Sequence, residues 1–154
     1  MTELETMVRQ LHDLEEIKKL KARYFRCMDT KDWAGMVEVY APDATADFRA
    51  ESPDGFVQGA ADIVAYTRAS IENVTTVHHG HMPEIKILSS NEAMGIWAME
   101  DLLFWPEGEG IKRADGARIS RLHGFGHYHE TYRVHDGQWR IQTLRLSRLY
   151  VNVT

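Results

Sequence analysis

The 154-residue sequence lacks several features that would assign a compartment or a partner directly. Its single cysteine, Cys27, cannot form an internal disulfide, so we expect a reducing, cytoplasmic location. No stretch is apolar over the roughly 20 residues that a membrane helix needs. The formal charge of -5 disfavours nucleic-acid and anionic-membrane partners, which select a basic protein face. The first sixteen residues hold five acidic side chains and do not resemble a signal peptide.

The motifs of several common enzyme chemistries are also missing. There is no GxSxG, P-loop, GxGxxG or CxxC pattern, so a nucleophilic serine or cysteine has no support. What is present is an ordinary globular composition, 44% hydrophobic and 27% charged, in a length that fits a single domain over residues 1–154.

Three helices are predicted in the first half of the chain. The first begins at Asp13, where Glu16 three residues on resembles a capping box, and residues 1–12 form a helix-compatible extension of the 13–150 core. Apolar residues then recur at helical spacing at Leu14, Ile17, Leu20, Tyr24 and Met28. A shorter helix carries a stripe from Trp33 to Tyr40 and is expected to stop at the proline of APDA. The third is the segment GAADIVAYTRASIEN.

The second half of the chain predicts strands. Four segments are strand-like: Val77–Leu88, Ala93–Trp105, Ile119–Val134 and Gln138–Val151. HDGQW supplies a hairpin turn between the last two, and two shorter strands flank an SPDG turn before the third helix. We therefore predict an α+β fold. In this cone-shaped half-barrel, a strongly curved, mostly antiparallel sheet is closed by three N-terminal helices around an interior pocket.

The strand GIWAMEDLLFW carries a carboxyl group on an apolar face. Alternation places these residues on that face: Trp97, Met99, Asp101, Leu103 and Trp105. Asp101 is the one ionisable group among them, and burial would favour a protonated or poised carboxyl. The alternative is a buried ion pair with an arginine of the last strand.

The last strand, QWRIQTLRLSRLY, contains arginines among leucines. Alternation divides it into one face with Leu144, Leu146, Arg148 and Tyr150 and another with Ile141, Thr143, Arg145 and Leu149. A buried arginine needs a partner or an anionic ligand, because an unpaired charge in the core is very costly. Either Arg145 or Arg148 could be that residue.

Asp29 ends the first predicted helix, five residues after Tyr24. On an ideal helix the two side chains point about 140° apart, so they share a pocket only if Asp29 lies where the helix unwinds. Spacing alone favours the other interpretation, in which Asp29 or Thr30 caps the second helix.

Three histidines lie in the segment TTVHHGHMPEI. His78 and His79 point to opposite faces of an extended strand, whereas His79 and His81 share one. A metal site could combine His79 and His81 with His127 and His129, as in histidine-rich barrels. No carboxylate has a convincing ligand spacing, so we expect no metal and interpret the second pair as exposed.

Four segments together resemble the SnoaL-like branch of the nuclear-transport-factor-like α+β cone superfamily, from about residue 13 to residue 150. They are EEIKKLKARYFRCMDTKDW, VHHGHMPEIKI, MEDLLFW and YHETYRVHDGQWRI. The branch includes scytalone dehydratase and bile-acid dehydratase, and the resemblance is greatest to the bile-acid group. Its tyrosine, helix-end aspartate, histidine, strand aspartate and last-strand arginine fall on Tyr24, Asp29, His78, Asp101 and Arg148. Scytalone dehydratase has a tyrosine where this chain has Met28, which argues against scytalone as the substrate.

The resemblance implies a cofactor-independent, dehydratase-like lyase for a mostly apolar, cyclic, steroid- or polyketide-like molecule. His78 held by Asp29 would be the general base, and Tyr24 would donate a hydrogen bond to the developing oxyanion. Asp101 would be the acid, and Arg148 would pair with it or hold an anionic group. The expected substrate-binding wall is Met28, Trp97, Met99 and Leu103. The alternatives are an isomerase or cyclase, which shares the proton abstraction, and a non-catalytic ligand-binding module.

The resemblance also implies a homo-oligomer, because dehydratases of this group are typically trimers and other members of the superfamily are dimers. A trimer is favoured. Ile96, Leu102 and Phe104 are compatible with a sheet face buried between subunits, and equally with packing under the protein's own helices.

Overall fold

The computed structural model describes residues 2–154, which form helices first and a long curved sheet afterwards. The helices are α1 (Glu3–Asp29), α2 (Trp33–Val37) and α3 (Ala60–Ile71). The strands are β1 (Tyr40–Asp47), β2 (Phe56–Gln58), β3 (Thr75–Ile87), β4 (Glu92–Phe104), β5 (Ile111–Lys112), β6 (Arg118–Ile119), β7 (Arg121–His135) and β8 (Gln138–Val153). The predicted α+β class is confirmed, and the four long strands lie close to their predicted positions.

The main sheet has six strands in the order β2-β1-β8-β7-β4-β3. All neighbours are antiparallel except β1 and β8, which run parallel. The strands β5 and β6 form a separate small hairpin. Helix α1 packs against β3 and β8, and α3 packs against β1, so the helices cover one face of the sheet. Within residues 2–154, no helix is long and apolar enough to cross a membrane.

Helix α1 starts earlier than predicted. Thr2 is its N-cap, and Thr2 and Glu5 satisfy each other's backbone N–H groups in a capping box. The capping box predicted at Asp13 is therefore wrong, and the helix-compatible segment before it extends the predicted helix as one continuous element. Asp13 lies inside the helix, where its carboxylate accepts a hydrogen bond of 3.0 Å from Trp139 Nε1.

Helix α2 is shorter than predicted. It is five residues long and ends at Val37, and Tyr40 already belongs to β1. The proline of APDA therefore does not stop the helix. Pro42 lies instead inside β1, where the pairing with β8 shifts between Tyr40 and Thr45. Proline has no N–H to donate to a sheet, and such an irregularity accommodates it.

Two bulges change the alternation of β8. Its register against β7 shifts between Phe125 and Gly126 and again between Thr131 and Tyr132. The second shift leaves Gln142 without a partner, so Ile141 is buried like Leu144. Strict alternation had placed those two side chains on opposite faces, and that prediction is wrong. Bulges also increase the local twist of a sheet, which bends these long strands around the helices.

Candidate active site

A cavity of about 310 Å³ lies between the helices and the covered face of the sheet. Six of the nine predicted site residues line it: Tyr24, Met28, His78, Asp101, Leu103 and Arg148. The wall is mostly apolar, with the ionisable groups at a few positions. This composition is typical of small-molecule pockets.

His78 and Asp29 form a hydrogen-bonded pair at this cavity. Nδ1 of the imidazole lies 2.7 Å from Oδ1 of Asp29. The carboxylate can only accept, so we assign the Nδ1 proton to His78, which leaves Nε2 as the free ring nitrogen. The second carboxylate oxygen accepts the backbone N–H of His78 at 2.9 Å, and the Thr76 hydroxyl donates to Oδ1 at 2.9 Å. The carboxylate thus fixes both the tautomer and the position of the imidazole.

The contacts of Asp29 also determine its charge. Burial alone would raise its pKa, but the hydrogen bonds from the His78 ring and backbone and from Thr76 outweigh it. The pKa of Asp29 is therefore below its usual value. Asp32, which accepts the Gly35 N–H at 2.9 Å, is the residue that caps α2. The capping interpretation of Asp29 and Thr30 is wrong, and Asp29 supports His78 from behind the cavity wall.

Local sequence explains why the pair forms. Alternation along β3 buries Thr76 and His78, and the side chain of His79 on the opposite face is 56% exposed. Phe25 of α1 stacks on the imidazole, with ring planes 14° apart. A Cβ at Gly80 would lie 2.6 Å from the Phe25 ring, so glycine is needed there for this packing.

Asp101 and Arg148 form a second pair in the cavity. Both carboxylate oxygens accept hydrogen bonds from the guanidinium, each at 2.7 Å, and Glu51 accepts from Nε at 2.5 Å. Burial would lower the pKa of Arg148, but these carboxylates raise it above its ordinary value. A Cβ at Gly124 would collide with both partners of the pair.

Of the two interpretations of Asp101 made from the sequence, the structure shows the ion pair with an arginine of the last strand. Both oxygens of Asp101 accept from the guanidinium, an arrangement that favours the ionised carboxylate, so the geometry does not support the predicted acid role. The arginine concerned is Arg148, because Arg145 is exposed.

Trp97 and Met99 lie deeper than predicted. Both are almost fully buried, but they stand outside the cavity wall. Trp97 donates its indole N–H to the Tyr132 hydroxyl at 2.7 Å, and the Met99 sulfur lies 3.6 Å from Arg148 Nη1. Neither residue lines the cavity, because strand alternation gives the face of a side chain and not its depth.

Sequence reasoning missed three residues at the base of the cavity: Lys21, Tyr128 and Glu130. Lys21 and Glu130 are fully buried and form an ion pair of 2.5 Å. The sequence contains a signal for each member of this pair. Lys21 interrupts the apolar stripe of α1. Glu130 shares one face of its strand with the two tyrosines of the YHETY segment, as Asp101 shares a face with apolar residues in β4.

The remaining histidines of interest lie on the uncovered face of the sheet. His79, His81 and His123 surround the Glu100 carboxylate at 4.0, 3.8 and 2.6 Å. In the part of the chain that the structure describes, no group of three or more His, Cys, Asp or Glu residues is placed to hold a metal ion. His127 and His129 lie on β7, separated by β4 from the β3 histidines.

Helices packed against one face of a curved six-stranded sheet, with a cavity between them, define a nuclear-transport-factor-like α+β cone. The model of the SnoaL-like domain matches residues 9–145. The chain belongs to this family, as its sequence resemblance implied.

Three relatives illustrate what the chain is similar to. A protein of Gibberella zeae named as a probable cyclase is 28% identical over 144 residues, covering 87% of this chain and 89% of its own. A structure from Novosphingobium aromaticivorans, named provisionally as a scytalone dehydratase, has a TM-score of 0.80 at 15% identity and covers 95% of this chain and 90% of its own. A hexachlorocyclohexane dehydrochlorinase from Novosphingobium barchaimii has a TM-score of 0.78 at 15% identity, covering 96% and 93%. At these identities the two structures show the shared fold alone.

Proposed function

We propose that the protein is a cofactor-independent lyase that removes a proton beside a carbonyl group and releases a hydroxyl group as water. The observation that carries the proposal is the 2.7 Å contact between His78 and Asp29 at the cavity. A general base needs one free nitrogen and a partner that stabilises its cation. The names of the relatives, a dehydratase, a dehydrochlorinase and a cyclase, are compatible with proton abstraction from carbon.

The reaction uses the residues as follows. His78 Nε2 takes the proton from the carbon next to the carbonyl, and Asp29 stabilises the imidazolium that forms. Tyr24 donates a hydrogen bond to the carbonyl oxygen as it becomes an enolate oxygen. The electron pair of the enolate then expels the hydroxyl group from the next carbon. The protonated His78 returns its proton to that hydroxyl, so one water leaves and the base is restored.

Arg148 and Asp101 form part of the cavity wall and take no proton in this scheme. The guanidinium is already shared by Asp101 and Glu51, so these three groups carry one net negative charge. An anionic substrate would have to compete with both carboxylates. We therefore expect a neutral substrate.

The cavity also limits the size of the substrate. Its volume of about 310 Å³ lies at the lower end of the roughly 300–1,000 Å³ typical of ligand pockets. A compact compound of two fused rings fits this volume better than a four-ring steroid. The apolar wall, which includes Met28 and Leu103, favours a mostly hydrocarbon skeleton.

The test is incubation with the β-hydroxy derivative of α-tetralone, a neutral two-ring β-hydroxyketone. Mass spectrometry of the product should show the loss of one water and the formation of α-naphthol, faster with the native protein than with the folded His78→Ala variant. Equal rates for the two proteins would remove the support for a lyase.

The second candidate function is an isomerase or cyclase, favoured by the cyclase name of the Gibberella zeae relative. It uses the same base but no leaving group. An isomerised product of unchanged mass would favour it. The non-catalytic module has less support, because it predicts that Asp29 and His78 do not touch.

A further inference from the structure

An ion pair lies directly beneath the cavity, where the proposed chemistry does not use it. The Lys21 ammonium and the Glu130 carboxylate are 2.5 Å apart, and both side chains are 0% exposed. Apolar replacements of similar volume often match or exceed the stability that a buried ion pair gives. A gain in stability is therefore a weak explanation for this ion pair, and its position beneath the cavity suggests that it has a function.

The ammonium lies between two phenol rings. Lys21 Nζ is 3.9 Å from the ring centroid of Tyr24 and 3.8 Å from that of Tyr128. The two rings meet edge-on, with centroids 5.8 Å apart and an interplanar angle of 75°. Both tyrosines line the cavity and are almost fully buried. One cation thus contacts both phenols from behind the cavity wall.

A chain of hydrogen bonds fixes the cation. The Tyr132 hydroxyl donates to Glu130 Oε2 at 2.5 Å, and Trp97 Nε1 donates to the Tyr132 oxygen at 2.7 Å. The other oxygen of Glu130 accepts from Lys21. Because each partner is held by the next, Lys21 has little freedom to move away from the rings.

We propose that Tyr24 and Tyr128 form a two-donor oxyanion site, and that Lys21 is the positioning residue that holds both phenols and strengthens them as donors. The inference rests on the proposed function, because it assigns the site to the enolate oxygen of the same reaction. It adds Tyr128 as a second catalytic residue.

The physical basis is the field of the ammonium at short range in a dry environment. A cation on the face of a phenol ring attracts its electron density, which makes the hydroxyl a stronger donor to a developing negative charge. Burial raises the pKa of Tyr24 well above its ordinary value and raises that of Tyr128 as well, so both remain protonated donors. Burial lowers the pKa of Lys21 to about 8, with Glu130 opposing the shift, so the lysine keeps its charge at neutral pH.

The test uses α-naphthol as a probe, since its ionised oxygen resembles the enolate oxygen of α-tetralone. Absorbance titration gives the pKa of the bound naphthol, and naphthalene, which has no oxygen, reports the shape of the cavity. The variant is Lys21→Met combined with Glu130→Gln, which removes both charges without leaving one buried and unpaired. The matched control is Arg133→Met with Glu92→Gln, the same kind of change in an exposed ion pair.

We expect bound naphthol to ionise at lower pH than free naphthol in the native protein and in the control. In the Lys21→Met/Glu130→Gln variant, the preference for ionised over neutral naphthol should fall about tenfold. The variant should still bind naphthalene with native affinity. Tyr128→Phe should also weaken naphtholate binding. Absence of naphthol binding, or an unchanged preference in the folded double variant, would overturn the inference.

Activity separates this inference from the proposed function. If the native protein shows the naphtholate preference but dehydrates no β-hydroxyketone, the oxyanion site stands and the proposed function fails. If dehydration proceeds and the Lys21→Met/Glu130→Gln change lowers neither kcat nor the naphtholate preference, the proposed function stands and the inference fails. A change confined to KM would also count against it, because donors to a developing charge act on kcat.

Discussion

Two carboxylate pairs with the same 2.7 Å contact distance lie at the cavity, and they differ in their capacity to accept a proton. Asp29 holds one nitrogen of an imidazole, and the other nitrogen remains free. Asp101 holds two nitrogens of a guanidinium, and Glu51 engages the third. The first pair can therefore accept a proton from a ligand, whereas the arginine of the second is already paired with two carboxylates.

The two pairs show that the burial of a carboxylate at a cavity does not by itself identify a catalytic group. Asp101 and Asp29 are both carboxylates that are at least partly buried at the cavity. Their partners decide their roles, because histidine exchanges a proton near neutral pH and arginine remains charged. We expect the first pair to control the rate and the second to control the stability of the cavity wall.

The largest expected effect is the loss of activity on removal of the base. His78→Ala should lower kcat for dehydration of the β-hydroxy derivative of α-tetralone by about 10²–10⁴, the usual contribution of a proton-transfer group. The matched control is His79→Ala, the next residue in β3, which points to the opposite face. That variant should retain native kcat. Equal losses in the two variants would show that the strand and not the base is responsible.

Removal of one partner from the second pair should lower the stability of the protein. Arg148→Met leaves the Asp101 carboxylate buried without a partner, which typically costs about 3–5 kcal/mol. Combining Arg148→Met with Asp101→Leu should recover most of this loss. Urea unfolding measures both. If the single variant is as stable as the native protein, the pair does not stabilise the cavity wall as we describe.

Asp29→Asn tests whether the charge of the carboxylate contributes to the function of the first pair. It retains the size of the side chain but removes the charge that stabilises the imidazolium, so kcat should fall by about 10² while substrate affinity changes little. Steady-state kinetics on the same hydroxyketone gives both values. A rise in KM with native kcat would assign Asp29 to substrate binding.

The smallest expected effect is a change of stability in acid. The pKa of Asp29 in the folded protein lies below 3.8, so its stabilising contribution is full above that value and is lost as the pH falls through the folded pKa. The difference in free energy of unfolding between the native protein and Asp29→Asn should therefore shrink between about pH 5 and pH 3. Urea unfolding at these two pH values measures it, and a constant difference would contradict the assignment.

Periodicity predicted much of the sheet and the side-chain faces of β4. Asp101 and Leu103 line the cavity as alternation required. Alternation failed at Ile141, because a bulge is set by the pairing of two strands and leaves no clear mark in one of them. The cap of α1 was misplaced for a related reason, since the Asp13 and Glu16 spacing imitates a capping box inside a continuous helix.

The candidate site shows where local patterns stop being informative. Spacing alone favoured Asp29 as a cap, and the family resemblance was needed to place it beside His78, 49 residues away. Lys21 and Glu130 are 109 residues apart, and no local pattern joins them. Contacts of this kind depend on how α1 crosses the sheet, which is a property of the whole fold.

Deuterium exchange into α-tetralone tests most directly whether His78 is the base. This ketone has the acidic carbon but no leaving group. In deuterium oxide, the native protein and His79→Ala should introduce deuterium beside the carbonyl at the same rate, measured by mass spectrometry. His78→Ala should be slower by about 10²–10⁴. Exchange by folded His78→Ala at the native rate would contradict the assignment of His78 as the base that Asp29 holds in this cavity.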